Sequence, residues 1–345
     1  MPFSRRLLLA CCLGVLAVGT VQAQDVYYSQ AFANRQTQNP AWVGLIDDYS
    51  ATLSFRDQLP QLAGSFITTQ LAGDVRLPQP GLHHALGAII TNDYAGAVGY
   101  TRFEASAQYA YHTRLTRTLA LSGGATLGYG RQRVGYDNYT FGDQYAADGT
   151  PLGASVENLS SVLPVNYLTA GLGGILYAEE GWISLSAQHL NQPNLGFQQQ
   201  AVLPMRLAVS AGYKLFFRHP RGEATRTEAH EISLVPTLAY TRQGGSQRSE
   251  AGVYFIAKPV TLGAVYRNLN DATLGGTQHV AALLAGIETD DYRFGYSYDV
   301  GLSSLANDLG GAHEITFSFR AFDKLEGAYR RLRRRNYPLV PCPAF

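Results

Sequence analysis

The sequence has little cysteine, little charge and few long apolar runs, and each shortage excludes a class of protein. Of its three cysteines, Cys11 and Cys12 lie near the start and Cys342 near the end, which does not fit a disulfide-stapled domain. Charged residues make up 15% of the chain, with 27 Lys+Arg against 26 Asp+Glu. This balance gives no basic surface for nucleic acid, and no nucleic-acid partner is expected. Beyond the first segment, no apolar run reaches the ~20 residues of a membrane helix.

The first residues are typical of a secretory signal peptide. A positively charged start is followed by the apolar run from Leu7 to Val18, and Ala23 completes a small-residue cleavage site. We therefore predict a signal peptide over residues 1–23 and a mature chain that begins at Gln24. A lipoprotein signal ending at Cys11 is the alternative, but almost no hydrophobic sequence precedes that cysteine.

The most informative pattern is strict alternation near the end of the chain. One face of the segment 292–300 is apolar, and it carries Tyr292, Phe294, Tyr296, Tyr298 and Val300. The other face carries Arg293, Gly295, Ser297 and Asp299. A period of two indicates a β-strand with one apolar face. So many aromatics on one face are typical of a barrel whose outside touches lipid.

Similar segments recur along the chain, so the sequence predicts an all-β fold, a transmembrane antiparallel β-barrel of about 14 strands over residues 48–322. An even number of strands brings both ends of the chain to the periplasmic side. The predicted strands are 48–57, 63–75, 83–93, 100–113, 117–134, 164–177, 181–190, 204–217, 228–241, 249–258, 260–268, 278–289, 291–300 and 312–321. Residues 24–47 form a polar lead-in that either plugs the lumen or lies in the periplasm. Residues 323–345 form a basic periplasmic tail.

Three segments outside the strands are candidates for binding a partner. The longest gap between strands, residues 135–163, is predicted to be an extracellular loop, because loops of this length in compact domains are commonly functional. A second candidate loop runs from Asn191 to Leu203. A basic cluster in the tail could contact lipid head groups or an acidic protein, although a solvated tail is the alternative. The candidate partner-binding residues are Tyr136, Tyr139, Phe141, His189, Asn191, Arg330, Arg331, Arg333, Arg334 and Arg335.

The sequence contains no hydrolase elbow, zinc-protease pair or phosphate-binding glycine loop, so we expect no enzyme activity, cofactor or catalytic metal. His189 with Ser184 or Ser186 could be a base and nucleophile, but extending the strand puts His189 on the opposite face from both serines. A structural histidine near the membrane rim is favoured. The pairs Asp47-Asp48 and Asp290-Asp291 could bind calcium, but aspartate is common in turns.

Several segments together resemble the PorP/SprF family of outer-membrane proteins of the type IX secretion system. Shorter matches are residues 24–30 (QDVYYSQ), 39–44, 55–60, 92–96, 109–112 and 141–144, and Leu59 stands where the family favours tryptophan. The most specific segments are 186–193 (SAQHLNQP), 296–299 (YSYD) and 310–314 (GGAHE), and the ending 341–345 (PCPAF) is also similar.

The resemblance implies an outer-membrane barrel of Bacteroidota that is not itself the protein-conducting channel. It implies as partners the periplasmic ring and peptidoglycan-binding proteins of the secretion system, and the C-terminal regions of secreted adhesins, including those used in gliding motility. It brings no catalytic residues. The alternative function is an outer-membrane porin or channel for small or hydrophobic solutes, whose lumen should be open.

Overall fold

The computed structural model describes residues 25–61, 64–77, 83–96, 99–135, 141–146, 148–153, 155, 163–197, 200–218, 232–271, 276–289, 291–302 and 310–320. The predicted signal peptide and the predicted basic tail lie outside these residues. Within the described chain, no helix has the length and apolar character needed to cross a membrane.

The described residues form a closed antiparallel barrel of fourteen strands, which confirms the predicted fold. The strands are β1 Tyr49–Gln58, β2 Phe66–Arg76, β3 His84–Ala95, β4 Tyr100–Arg114, β5 Leu119–Val134, β6 Val165–Ala178, β7 Gly181–Gln188, β8 Arg206–Tyr213 continued by Leu215–Arg218, β9 Ile232–Gln243, β10 Ser246–Ala257, β11 Val260–Asp271, β12 Gly276–Glu288, β13 Tyr292–Gly301 and β14 Ala312–Phe319. Each strand pairs with the next, and β14 pairs with β1, for example Ala51 with Phe319. Closure leaves no unpaired sheet edge in lipid.

Strand β8 is interrupted where it faces a proline. Its pairing with β9 continues up to Gly212–Thr237 and resumes at Leu215–Leu234. Pro236 of β9 lies between those positions and has no N–H to donate to the ladder. The two segments of β8 therefore act as one strand with a local break.

Several strand ends differ from the predicted ones. Strand β10 begins at Ser246, three residues earlier than predicted, because Gln243 and Ser246 pair across a two-residue turn. Gly244 in that turn has φ 57°, which a glycine adopts without steric cost. The polar residues at the start of β10 face the lumen or the barrel rim. This part of the strand therefore shows no alternation of apolar and polar residues from which it could be predicted. Strand β7 ends at Gln188, two residues earlier than predicted.

The apolar face of the barrel points outward and its polar face points inward. On β13, Tyr292, Phe294 and Tyr296 are exposed, whereas Arg293 and Asp299 are buried. This confirms the faces predicted from the alternation.

The barrel has two unlike ends. The end that carries the longer connections, residues 135–164 and 189–205, is called the loop end here. The opposite end, where β1 begins and β14 ends, has mostly short connections such as 179–180 and 258–259, and is called the turn end. In outer-membrane barrels the short turns are periplasmic and the long loops are extracellular.

The polar lead-in lies inside the barrel, and residues 25–47 are called the plug. The plug contains a single short helix, α1 Arg35–Gln38, followed by a 3₁₀ helix, Pro40–Trp42. Ala41, Trp42 and Val43 are almost fully buried. The sequence left open whether this segment enters the lumen, and the structure places it there.

Candidate functional site: the plugged lumen

The first plug residue, Asp25, is held at the loop end of the lumen. Its carboxylate lies 2.6 Å from His189 Nε2, 3.2 Å from Arg102 and 3.5 Å from Arg206. The other ring nitrogen of His189, Nδ1, lies 2.7 Å from the Thr169 hydroxyl. Burial alone would raise the pKa of the Asp25 carboxyl, but His189 and the two arginines hold that pKa well below its usual range. Asp25 is therefore a fixed negative charge that fastens the start of the plug.

The predicted face of His189 was wrong. Extending the strand put His189 on the outward face, but β7 ends at Gln188 and His189 adopts φ 55°. This left-handed backbone turns the imidazole into the lumen, where the residue is 4% exposed. The serines considered as its partners are engaged elsewhere. Ser184 accepts a hydrogen bond from Asn39 at 2.8 Å, and Ser186 donates one to the Gln38 carbonyl at 2.8 Å.

Thr169, His189 and Asp25 are hydrogen-bonded in series and have the residue types of a catalytic triad. Their surroundings indicate instead that they attach the plug to the wall. The cavity that borders Thr169 and His189 has a volume of about 50 Å³. That space has room for water molecules but not for a substrate, because ligand pockets measure ~300–1,000 Å³. The hydrogen bonds of His189 join the wall to the plug.

A tyrosine of the plug is surrounded by three arginines of the wall. The guanidinium carbons of Arg56, Arg248 and Arg267 lie 4.8, 5.1 and 4.6 Å from the centre of the Tyr27 ring. Each distance is within the range of a cation–π interaction. The arginines project from β1, β10 and β11, so one plug side chain joins strands that are far apart in the sequence.

Two buried carboxylates pair with Arg56 and Arg267, and one of them also binds the plug backbone. Asp299 lies 2.8 Å from Arg56 and 3.3 Å from Arg267. Glu314 lies 3.1 Å from Arg56 and accepts hydrogen bonds from the backbone N–H groups of Ser29, at 2.7 Å, and Gln30, at 3.1 Å. Glu314 thus satisfies two backbone donors that would otherwise be buried without partners.

The middle of the plug passes close to the wall of β5 and β6. The Asn39 side chain donates to the Gly174 and Leu185 carbonyls at 3.1 and 2.9 Å. On β5, an added Cβ at Gly124 would lie 2.5 Å from the backbone of Pro40 and Ala41. Glycine at position 124 therefore permits this close approach of two backbones.

An aromatic cluster packs the plug against β7 and β10. The Phe32 ring makes edge contacts with Trp182 and Tyr254, with ring centres 5.8 and 5.3 Å apart. Trp42 contacts Trp182 in the same way at 6.3 Å. These edge-to-face pairs contribute stability beyond the burial of apolar area.

The plug ends at the turn end in a second ionic anchor. Asp47 lies 2.8 Å from Arg293, 3.3 Å from Arg320 and 3.5 Å from Arg35 of the plug itself. Burial would raise the pKa of the Asp47 carboxyl, but the three arginines hold it well below its usual range. Its oxygens are thus committed to arginines, which argues against the calcium alternative at Asp47-Asp48. Asp290 of the other pair lies outside the described residues.

The predicted partner-binding residues fall in different places. His189 is buried, whereas Asn191 is exposed at the loop end and its side chain bonds to the Leu168 carbonyl at 2.7 Å and the Ala170 N–H at 3.1 Å. Phe141 is half-buried before a 3₁₀ helix, Gly142–Gln144, and its N–H donates to Gln144 at 2.7 Å. Tyr136, Tyr139 and the five tail arginines lie outside the described residues.

Sequence reasoning missed the plug-binding side chains of the wall. They are Arg56, Arg102, Arg206, Arg248, Arg267, Asp299 and Glu314. A signal was present, because each is a charge at an inward position of an alternating strand in a chain with few charges. Such a charge needs a partner inside the barrel.

A closed barrel with a lipid-facing apolar exterior is an outer-membrane β-barrel, here with its own N-terminal segment in the lumen. A family model described as type IX secretion system membrane protein PorP/SprF matches residues 20–319. The chain belongs to this family.

Other comparisons give weaker similarity. No curated protein matches the chain significantly. Among solved structures, a mutant of the TodX monoaromatic hydrocarbon channel is 10% identical, covering 85% of this chain and 95% of its own, with a TM-score of 0.45. The outer membrane protein Omp33 of Acinetobacter baumannii is 8% identical, covering 80% and 99%, with a TM-score of 0.44. The KdgM porin is 7% identical, covering 78% and 98%, with a TM-score of 0.35.

Proposed function

We propose that this protein is a non-enzymatic component of the type IX secretion system that binds other proteins of the machinery and supports export and surface attachment of large adhesins. The family membership supports the first part of this proposal. The main structural support for the proposal is the plug, which runs from Asp25 at the loop end to Asp47 at the turn end.

The plugged lumen argues for a partner-binding role over solute transport. Buried ion pairs join the plug to the wall at both ends, and the two cavities described between them measure about 70 and 50 Å³. A porin needs a continuous aqueous path, whereas a partner-binding barrel needs a rigid frame for its loops. Interior contacts of this density favour the rigid frame.

Two surfaces are assigned to partners. At the loop end, the connection 135–164 is extracellular by the rule for outer-membrane barrels and would contact the C-terminal region of a secreted adhesin. At the turn end, the basic residues of 323–345 would contact periplasmic ring and peptidoglycan-binding proteins. This second assignment rests on the sequence, because the tail lies outside the described residues.

The first test compares proteins of the medium, cell surface and periplasm in cells with and without the gene. Loss of one adhesin from the surface would support a role dedicated to that cargo. Periplasmic accumulation of all cargo with the C-terminal secretion signal would support a role in the core machinery. An unchanged distribution would contradict the proposal and favour the porin alternative.

Two variants separate the surfaces. Replacing residues 135–163 with a short turn should reduce cargo attachment without preventing folding. The folded barrel is recognised by a gel band that shifts when the sample is heated. Deleting residues 324–345 should leave the barrel inserted but reduce co-purification of the periplasmic partners. Undiminished co-purification would overturn the role of the tail.

A further inference from the structure

The outer wall carries a concave apolar groove that crosses strands β6 to β12, from the turn end at β6 and β7 to the middle of β9 to β12. Its volume is about 1090 Å³, which matches the upper end of the range for ligand pockets, ~300–1,000 Å³. The groove lies on the lipid-facing side of the wall, and it belongs neither to the plug nor to the loops.

The groove forms because small side chains occupy outward positions in neighbouring strands. Strand pairing aligns two rows across the wall. The first row is Ala211, Leu238, Ala251, Tyr266 and Ala281, and the second is Pro236, Val253, Ala264 and Leu283. Small residues therefore lie between large ones, and the large ones, such as Leu238 and Leu283, stand 65% and 60% exposed. A groove lined by alternating small and large side chains accommodates a flexible hydrocarbon chain.

Charges of both signs stand at the turn-end rim of the groove. Leu119 of β5 pairs with Ala178 of β6, and this pairing sets the connection 115–118 beside the connection 179–180. Arg117 is exposed in the first connection and Glu180 in the second. Glu180 also accepts a hydrogen bond from the Tyr213 hydroxyl, which fixes its carboxylate at the rim. Leu119, Glu180 and Tyr213 themselves line the groove.

We propose that the groove is a binding site for a zwitterionic phospholipid with an ethanolamine head group. An acyl chain lies between the two rows of wall residues, the ammonium group contacts Glu180, and the phosphate contacts Arg117. A hydrogen-bonded carboxylate selects an amine, and a guanidinium selects a phosphate. A purely anionic head group satisfies Arg117 but leaves Glu180 facing a like charge.

A lipid fits this groove better than a second copy of the barrel. Two barrels gain no hydrophobic free energy by meeting in a bilayer, because lipid tails are as apolar as the wall. A concave groove with charges at one end matches the shape and polarity of one lipid molecule. The charged rim of the groove lies at the turn end, and a head group bound there belongs to the periplasmic leaflet.

The test is native mass spectrometry of the full-length mature barrel in detergent, titrated with palmitoyl-oleoyl phosphatidylethanolamine or with the phosphatidylglycerol of the same chains. We expect one bound lipid and a preference for phosphatidylethanolamine. The double variant Ala251→Phe/Ala264→Phe fills the groove and should weaken binding of both lipids about tenfold or more. Ala107→Phe, an outward alanine on β4 away from the groove, is the matched control.

The head-group assignment is tested separately. Glu180→Gln should remove the preference for phosphatidylethanolamine while binding of phosphatidylglycerol is retained, and Asp291→Asn at another turn should change neither. Because these variants leave the wall intact, the proposal stays testable if the double variant does not fold. Equal binding by Ala107→Phe and the groove-filling variant would overturn the site, as would a dimer that replaces the bound lipid. An unchanged preference in Glu180→Gln would overturn the head-group assignment.

Discussion

The imidazole of His189 and the carboxylate of Asp25 meet at the loop end of the lumen, with Nε2 and Oδ2 2.6 Å apart. The two residues are 164 positions apart in the chain. Their contact joins the first described residue of the plug to the end of β7. The plug is therefore fastened at its beginning as well as at Asp47, where it enters the barrel wall.

Replacing His189 tests this contact. His189→Ala should loosen the first turn of the plug and cost ~1–3 kcal/mol locally, because Asp25 and Thr169 each lose a buried partner. Hydrogen exchange should become faster for amides 25–34 and stay unchanged in the strands. Loss of cargo binding with undiminished protection of the plug would instead favour His189 as a partner-binding residue.

The buried arginine of β1 should be among the most sensitive residues of the wall. Arg56→Met leaves Asp299 and Glu314 without their nearest cation, and breaking a buried ion pair from one side costs ~3–5 kcal/mol. The folded, heat-modifiable band should convert to the unfolded form at a lower temperature. Arg133→Gln, at an exposed position on β5, is the control and should leave the transition unchanged. A similar shift in both variants would contradict the importance of the buried network.

Adjacent glycines on β5 form a matched pair for testing the plug. Gly124 faces Pro40 and Ala41 of the plug, whereas an added Cβ at Gly123 meets nothing within 4 Å. Gly124→Ala should displace the plug and cost ~1–3 kcal/mol by overpacking, while Gly123→Ala should be neutral. Thermal unfolding and protease sensitivity of residues 25–47 measure the difference. Equal behaviour of the two variants would mean that the plug is not packed against β5.

The ionic anchor at Asp47 should resist mild acid. The pKa of Asp47 is lowered in the folded protein relative to its unfolded value of ~3.9. The stability it contributes is therefore fully present above that unfolded pKa and is lost as the pH falls through the folded one. Asp47→Asn should destabilise the plug equally at pH values of about 7.5 and 5, a range above both pKa values. A loss of the Asp47 contribution between those two pH values, measured by thermal unfolding of both proteins, would contradict the assigned ion pairs.

Conductance in planar bilayers separates a plugged barrel from a porin. The intact protein should show no steady open pore, and a variant lacking residues 25–46 should show one, because the plug fills the lumen. A steady pore in the intact protein would favour the porin alternative. If the deletion variant does not fold, Gly124→Ala serves instead and should increase transient openings over Gly123→Ala.

The sequence by itself determined the barrel and its two faces. Alternation of period two, as in Tyr292 to Val300, depends on local backbone geometry and on the contrast between lipid and lumen, so it can be read without knowing strand partners. The same reasoning failed at His189, because a single left-handed residue ended the alternation that the prediction extended.

Only the tertiary structure decided what lies in the lumen. The lead-in has no period, and its partners Arg56, Asp299 and Glu314 come from strands at opposite ends of the chain. The groove on the outer wall was equally hidden, since Ala251 and Ala264 become neighbours of Leu238 and Leu283 only through strand register. Local patterns specify a strand and its faces, whereas closure of the barrel decides which distant charges and small residues meet.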